Sequence, residues 1–248
     1  MFSSRRRREG GFGLLLLAHQ LHNVGLENVG PVTLLTILGQ TLLFMGIINA
    51  PWNKYDVCIS GQAILHHRKY KHLFLSAIEH ADDMHLYYNM VSFLIKGRTL
   101  EQRFGSVKFI ILLVVFTLST SLTYVGLSWL AAEFFEDYSY MKTCAIGFSG
   151  VIFALKVLTT HYERRANRQV YGIYVPSGYA VWVELVIIHL LVPNASFVGH
   201  LAGILVGLAY IHGPLSSLID AMWCTVSDRP YRQSYTYAHG TTRGYTLH

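Results

Sequence analysis

Residues 195–219 read ASFVGHLAGILVGLAYIHGPLSSLI and contain no charged residue. About 20 predominantly apolar residues are enough for a helix to cross the hydrocarbon of a bilayer. Within the segment, Gly199, Gly203 and Gly207 recur at every fourth residue, a spacing that lets a second helix approach closely in lipid. The segment therefore predicts a membrane-spanning helix that packs tightly against a neighbour.

Five more segments have the same character to different degrees. Segments 31–50 and 109–132 also lack charged residues, so their assignment as spans is the clearest of the five. The other three contain isolated polar or charged side chains, and the segment that begins at His85 is the shortest. In chain order, the six predicted spans are 31–50, 85–95, 109–132, 143–160, 179–192 and 195–219.

The composition agrees with a protein built mainly from such helices. Of the 248 residues, 52% are hydrophobic and 14% are charged, whereas soluble globular proteins carry about 25% charged residues. This composition excludes a soluble enzyme, and six spans leave no room for a second soluble domain. We predict an all-α polytopic membrane protein whose six-helix core covers 31–219, between an N-terminal segment 1–30 and a tail 220–248.

The positive charges are distributed unevenly between the two sides of the predicted bundle. Of the 20 Lys and Arg residues, 15 fall on the side of the N-terminus, and the other five fall in the first and third loops. Cytoplasmic loops are enriched in Lys and Arg, so both termini are predicted to face the cytosol. The net charge of +6 follows from this distribution, and no nucleic-acid partner is predicted.

The two ends of the chain lie outside the predicted core. Four arginines at 5–8 precede an apolar stretch that is short for a span, and we predict an interfacial helix there. The arginines act either as a topology signal or as a receptor-read retention signal. After Ser227 the tail becomes polar and rich in tyrosine, which predicts disorder.

The chain has three cysteines, Cys58, Cys144 and Cys224. Their spacing matches no zinc or haem motif, and any intrachain pair leaves one of them over. The sequence therefore implies no disulfide framework.

Three of the predicted spans carry polar side chains that are costly in hydrocarbon and are therefore functional candidates. Ser149 lies in Gly147-Phe148-Ser149-Gly150 on the fourth span, and His200 lies among the glycines of the sixth. If these two helices pack through their small residues, the serine hydroxyl and the imidazole come within hydrogen-bond reach. Because a neutral histidine can take the proton of a serine, the pair is a candidate catalytic dyad.

The second span supplies candidates for a further role. His85 and Asn89 are four residues apart, which places them on one face of a helix. Acyl transfer needs hydrogen-bond donors aimed at the oxyanion that forms on the carbonyl. The imidazole of His85, the amide of Asn89 and the backbone N–H of Ser149 can provide them, so the chemistry implied is peptide hydrolysis.

Together, these motifs resemble the rhomboid intramembrane serine proteases, whose pattern is HxxxN on the second span, GxSG on the fourth and HxxGxxxG on the sixth. The resemblance covers roughly residues 31–213. It implies that Ser149 is the nucleophile, that His200 is the general base and then the acid, and that His85 and Asn89 stabilise the oxyanion. Phe153 stands where the family places an aromatic ring against the histidine. The residues that support the arrangement are then Gly147, Gly150, Phe153, Gly199 and Gly203.

Within the family, the chain looks most like the endoplasmic-reticulum branch, the rhomboid-related protein 4 type. This resemblance implies single-span membrane proteins as substrates, membrane lipids as surroundings, and partners in ubiquitin-dependent degradation. No tail motif for such partners is visible before His248. The chain also departs from the family in its first loop, where Lys69-Tyr70-Lys71-His72 replaces the common Trp-Arg pair.

Other polar residues have simpler interpretations. Glu184 could orient the histidine as a third catalytic group, but a single acid on the fifth span is more typical of a structural ion pair. Lys156 is interpreted as an anchor whose side chain extends to the membrane interface. His80, Asp82, Asp83 and His85 offer metal-ligand chemistry, but there is no HExxH motif, and no metal or other cofactor is assigned.

Two other functions compete with the protease. A non-catalytic relative would bind membrane-protein clients and move them to degradation, and it would lack the serine or the histidine. A small-molecule transporter would show broken helices and inverted repeats, which the sequence does not show. For the location, a mitochondrial membrane is the alternative to the endoplasmic reticulum, because the N-terminus is rich in arginine and poor in acids.

Overall fold

The computed structural model describes residues 11–163, 167–192 and 194–227. The arginines at 5–8 and the tyrosine-rich tail from 228 onward, for which the sequence predicted a signal and a disordered segment, lie outside the described residues. The described chain is mostly helical, and it begins with α1 and ends with α11. The helices are α1 Phe12–Val24, α2 Pro31–Phe44, α3 Gly61–Leu65, α4 His72–Ile78, α5 Asp83–Phe104, α6 Ser106–Phe134, α7 Ser139–Lys142, α8 Ser149–Tyr162, α9 Ser177–Leu191, α10 Phe197–His212 and α11 Leu215–Ser227.

Two short antiparallel strands depart from the all-α expectation. Strand β1, Asn167–Val170, pairs with β2, Ile173–Pro176, between α8 and α9. The two residues that join them, Tyr171 and Gly172, both have positive φ angles, of 47° and 87°. Such a turn matches the twist of a two-residue hairpin, so the chain folds back on itself before α9.

Each of the first five predicted spans overlaps one helix, in chain order α2, α5, α6, α8 and α9, and the sixth overlaps α10 and the start of α11. Of the described helices, α6 alone is long and apolar enough to cross a membrane by itself, with a mean hydropathy of 2.1. A second span is obtained if α10 and α11, which meet at 72°, are counted as one bent segment. The count of six spans therefore remains a prediction.

The sixth segment is not one straight helix, as the sequence predicted for 195–219. Helix α10 ends at His212, and α11 begins at Leu215 after Gly213 and Pro214. Proline lacks the N–H that would continue the backbone ladder, and its ring clashes with the preceding turn. The break therefore lies at the proline.

Helix α5 is longer than the segment that hydropathy assigned to it. It has 22 residues, and the side chain of Asp82 caps it by accepting the backbone N–H of His85. Asn89 and Glu101 lower its hydropathy, but both are buried inside the bundle. Glu101 accepts the backbone N–H groups of Val32 and Thr33 at the start of α2. The charged residues after Ile95 ended the predicted span, although one of them, Glu101, joins α5 to α2.

Helix α1 packs lengthwise against α5, where the sequence predicted an interfacial helix. The backbone N–H of Gly13 donates to the carboxylate of Asp83 at one end of α5, at 3.0 Å. Gly30, just after α1, faces the carboxylate of Glu101 near the other end. Leu17 between them is 2% exposed, so the apolar face of α1 is buried against the bundle.

Helices α8 and α10 approach so closely that backbone meets backbone. A Cβ added to Gly203 would overlap the carbonyl oxygen of Gly150. A Cβ added to Gly207 would stand 2.6 Å from that of Val157. The glycine spacing of the sixth segment thus has the packing role that the sequence predicted for it.

A disulfide joins Cys58 to Cys144, with their Cα atoms 5.7 Å apart, although the sequence implied no disulfide framework. Next to it, Ile59 and Ala145 exchange two backbone hydrogen bonds of 2.8 and 2.9 Å. This short bridge brings together segments 86 residues apart, which cysteine number and spacing alone cannot reveal. Cys224 is a free thiol.

Candidate active site

Ser149 is the first residue of α8. The sequence predicted a span from residue 143, with the serine a few residues inside it. The helix begins later because Gly147 has a φ of +117°, a backbone conformation that suits glycine and ends helical geometry. Since the first N–H groups of a helix have no partner within it, the backbone N–H of Ser149 is free of the helical ladder.

His200 lies in the first turn of α10, which Ser196 caps by accepting the N–H of Gly199. Its Nε2 is 3.0 Å from Oγ of Ser149, 51 residues away in the chain. The imidazole is 5% exposed, whereas Ser149 is half-buried. The structure thus brings the two predicted residues into direct contact, with the serine open on one side.

Four of the predicted supporting residues surround this contact. The ring of Phe153 stacks on that of His200, with 4.5 Å between ring centroids and 25° between planes. The backbone of Gly150 meets α10 at Gly203 and at the carbonyl of Gly199. The stacking and the close helix approach together fix the position of the imidazole.

Gly147 connects the serine to His85. A Cβ on Gly147 would stand 2.7 Å from Cε1 of the His85 ring, so only glycine leaves room for the imidazole there. The N–H of Gly147 donates to the carbonyl of Ser76 at 2.8 Å. The loop before α8 is therefore held against α4 on one side and His85 on the other.

Asn89 is buried one turn below His85 and contacts it rather than the serine. Its Nδ2 donates to the backbone carbonyl of His85 at 2.8 Å. Its Oδ1 is buried and has no hydrogen-bond partner among the described residues. One N–H of the amide remains for a second acceptor.

His80 is a residue of this site whose role the sequence did not suggest, since it was considered there only as a metal ligand. Its ring meets that of His85 edge-on, with the centroids 5.2 Å apart. It is 1% exposed, and neither ring nitrogen has a partner in the described part of the chain. Burial lowers the pKa of His80 well below its usual value, and the neighbouring His85 lowers it further. His80 is therefore neutral at physiological pH and packs against His85 without adding charge.

Glu184 does not reach His200. It forms an ion pair with Lys156, and Lys156 is buried rather than extended to an interface. Nδ1 of His200 has no partner among the residues described. In this part of the chain the site is a Ser-His pair without an orienting carboxylate.

His80, Asp82, Asp83 and His85 do not come together as a metal site. Across residues 11–163, 167–192 and 194–227, no group of three or more His, Cys, Asp or Glu side chains is placed to hold a metal ion. Asp82 and Asp83 instead bind backbone N–H groups, of His85 and of Gly13. Chemically, the site offers an activated hydroxyl, a base and nearby N–H donors.

Comparison with known proteins agrees with these motifs. The family model of the Rhomboid domain matches residues 67–215. Rhomboid-related protein 4 of Homo sapiens is 42% identical to this chain over 241 residues, which cover 96% of this chain and 76% of that protein. Rhomboid-related protein 4 of Rattus norvegicus is 44% identical over 218 residues, with coverages of 88% and 68%. Rhomboid-like protein 14, mitochondrial, of Arabidopsis thaliana is 39% identical over 217 residues, with coverages of 85% and 64%.

Proposed function

The chain belongs to the rhomboid family, and from that membership we propose that it is an intramembrane serine protease that cleaves other membrane proteins. The observation that carries the proposal is the contact of 3.0 Å between Ser149 Oγ and His200 Nε2. A family member without catalytic activity would have no need of this pair. The family membership makes the protein a membrane protein, and the chemistry below is our proposal.

The first step is proton transfer from Ser149 to His200. In the tautomer with hydrogen on Nδ1, Nε2 accepts the hydroxyl proton as Oγ attacks the carbonyl carbon of the substrate. The carbonyl π electrons move to oxygen, which becomes the oxyanion. The imidazolium then gives its proton to the leaving amine, and a water molecule attacks the acyl-enzyme in the same way. The face of Phe153 lies against His200 and attracts the imidazolium that forms.

The oxyanion needs donors close to Ser149. The backbone N–H of Ser149, free at the start of α8, is the nearest donor. The second N–H of Asn89 and the ring N–H of His85 are the side-chain donors that we assign to this role. His85 lies against Gly147, two residues before the serine, so a substrate carbonyl over Ser149 is also close to the imidazole.

The substrates we propose are single-span membrane proteins, cleaved near the non-cytosolic face. The site lies at the end of the bundle that also holds the Cys58–Cys144 disulfide, and disulfides persist in oxidising compartments such as the lumen of the endoplasmic reticulum. We therefore place the protein in the endoplasmic-reticulum membrane, with the arginine-rich end of the bundle in the cytosol. We also propose that both termini face the cytosol, and protease protection of an epitope tag placed ahead of Phe12 tests this location.

In that membrane, the protease would act in protein quality control or regulated cleavage. Partners in ubiquitin-dependent degradation are part of the proposal because the resemblance implies them. Rhomboid-like protein 14 is described as mitochondrial, so imaging of an epitope-tagged chain against markers of both organelles tests the compartment.

The proposal is tested by covalent labelling of the purified chain with a fluorophosphonate, together with cleavage of a tagged single-span reporter in cells. We expect Ser149→Ala to abolish both signals, and His200→Ala to abolish them as well, because loss of either member of such a pair costs up to about a millionfold in kcat in soluble serine proteases. Ser128→Ala, a buried serine of α6 outside the site, is the matched control and retains both.

Labelling that persists in both Ser149→Ala and His200→Ala contradicts the assignment of the site. A wild-type chain that takes no label and cuts no reporter, yet still binds the reporter, favours the non-catalytic client-binding function instead.

A further inference from the structure

A cavity of about 140 Å³ lies toward the other end of α8, away from Ser149. Strand β1 closes it on one side, and α5 and α8 form its other walls. Its position is at the end of the bundle that the distribution of Lys and Arg assigns to the cytosol. The residues that line it are Ile95, Lys96, Lys156, Thr159, Glu163 and Arg168.

Positive charge exceeds negative charge around this cavity. Lys156 is paired with Glu184, and Arg168 is paired with Glu163 at 2.8 Å. Within the described residues Lys96 has no ion pair, and its Nζ contacts only the carbonyl and hydroxyl of Ser92, at 3.4 and 3.3 Å. The cluster therefore has three cations and two carboxylates.

The three cations also lie within electrostatic range of one another. Like charges in a partly dry site repel each other strongly, because the low dielectric screens them poorly. A cluster of this kind is stabilised by an anion that takes up the unbalanced charge. Among the described side chains, the carboxylate of Glu163 is within electrostatic range of Lys96, but it is already paired with Arg168.

Two hydrogen-bond donors at the cavity, on Arg168 and Lys96, also lack a good acceptor. Nη2 of Arg168 donates to the carbonyl of Thr159 at 3.0 Å and to Glu163. Nε of Arg168 is buried without a partner, and Lys96 has long, weak contacts for an ammonium group. A guanidinium N–H and an ammonium at one cavity are the donors that phosphate oxygens accept.

The size of the cavity sets the size of the ligand. One water needs about 10–15 Å³ of such cavity volume, so 140 Å³ leaves room for a compact group of several atoms. A phosphate group has five non-hydrogen atoms. The cavity is too small for an acyl chain, which would have to lie outside it.

We propose that this cavity is a binding site for a phosphate group, contacted by Lys96 and by Nε of Arg168, and carried either by a lipid headgroup or by free inorganic phosphate. The inference does not rest on proteolysis, because none of these residues belongs to the Ser149 site. Basic pockets between helices at the cytoplasmic side are the usual places where membrane proteins hold anionic headgroups.

The test is direct binding to the full chain purified in a neutral detergent. The two probes are inorganic phosphate and dioctanoyl phosphatidic acid, and dioctanoylglycerol is the control that lacks the phosphate. We expect saturable binding of phosphatidic acid and none of dioctanoylglycerol. Competition by inorganic phosphate would show that the phosphate group alone is recognised, and its failure to compete would show that the site belongs to a lipid. If neither probe binds, the proposal is overturned.

Variants connect the binding to this cavity. Lys96→Gln and Arg168→Gln should each weaken binding by about tenfold, the effect of losing one charge-assisted hydrogen bond. Lys96→Arg keeps the charge and should keep the binding, which separates lost recognition from lost folding. Arg98→Gln removes one positive charge from the same helix without touching the cavity and is the matched control. Equal weakening by Arg98→Gln and Lys96→Gln would overturn the proposal in favour of general surface charge.

Discussion

Ser149 and His200 meet where α8 and α10 touch through their backbones, whereas His85 and Asn89 share one helix and reach the serine only through Gly147. The first pair is in hydrogen-bond contact at 3.0 Å, with Phe153 stacked behind the imidazole. The second pair is joined by one hydrogen bond from the Asn89 amide to the His85 carbonyl. The catalytic pair is thus fixed by the packing of two helices, whereas the donors on α5 contact the serine segment through the loop residue Gly147.

The Ser149–His200 pair is therefore preformed, whereas the use of His85 and Asn89 as donors depends on a bound substrate. The proton acceptor is already in place, because the backbones of α8 and α10 are in direct contact and hold His200 Nε2 at 3.0 Å from Ser149 Oγ. The oxyanion donors still have unused capacity, since only one N–H of the Asn89 amide is used, in the bond to the carbonyl of His85. We therefore expect changes at the helix contact to abolish activity and changes at the donors to reduce it.

The largest effect should come from Gly203→Ala. The added methyl group overlaps the carbonyl oxygen of Gly150, so the helices must move apart and the serine and histidine separate. A shift of about 1 Å at reacting atoms costs on the order of 100-fold in rate, and we expect fluorophosphonate labelling and reporter cleavage to fall by at least that factor. Gly126→Ala in α6 is the control, since a Cβ there meets nothing within 4 Å. Wild-type cleavage by Gly203→Ala would show that the close approach is not required.

A smaller effect is expected from Asn89→Ala. Loss of one oxyanion donor typically lowers kcat by about 100-fold, and a donor used only in the transition state lowers kcat and kcat/KM equally. Steady-state cleavage of a purified single-span substrate measures both constants, with Asn28→Ala, an exposed loop residue, as the control. An unchanged kcat would remove Asn89 from the oxyanion site and leave it as a support for His85.

The smallest effect on catalysis is expected from Cys58→Ser combined with Cys144→Ser. The disulfide holds the segment before Gly147 against the first loop, and such bonds typically contribute about 2–4 kcal/mol to the free energy of unfolding. We expect a lower thermal midpoint with only a modest fall in kcat, and the same change when the wild type is reduced. Cys224→Ser, at the free thiol, should change neither. An unaltered midpoint in the double variant would mean that the loop holds its place without the bond.

The contact between Ser149 and His200 was predictable because the spacing of small residues on the two helices produces it. Glycines four apart on one helix require a partner at close range, and the polar residues at the same level then have to meet. The six helical segments were predictable for a similar reason, since apolar stretches mark them directly. The start of α8 was not, because it depends on the left-handed conformation of Gly147 beside the His85 ring.

Features set by distant neighbours were outside the reach of the sequence. Hydropathy ended the α5 span at Ile95 because it counts the charged residues that follow as costs, although Glu101 is hydrogen-bonded inside the bundle. The ion pair of Lys156 could not be predicted, because its partner Glu184 is on another helix. The same is true of the disulfide, which depends on a backbone bridge between two loops.

The stretch from Gly13 to Gly30 lies along α5, and this path bears on how many times the chain crosses the membrane. Asp83 and Glu101 are 18 positions apart on α5, a rise of about 27 Å, and the chain covers that distance between Gly13 and Gly30. This is nearly the thickness of the bilayer hydrocarbon, about 30 Å. Protease protection of one tag ahead of Phe12 and another after α10 therefore measures whether this stretch adds a pass across the membrane. Tags on opposite faces would show an added pass, and tags on the same face would not.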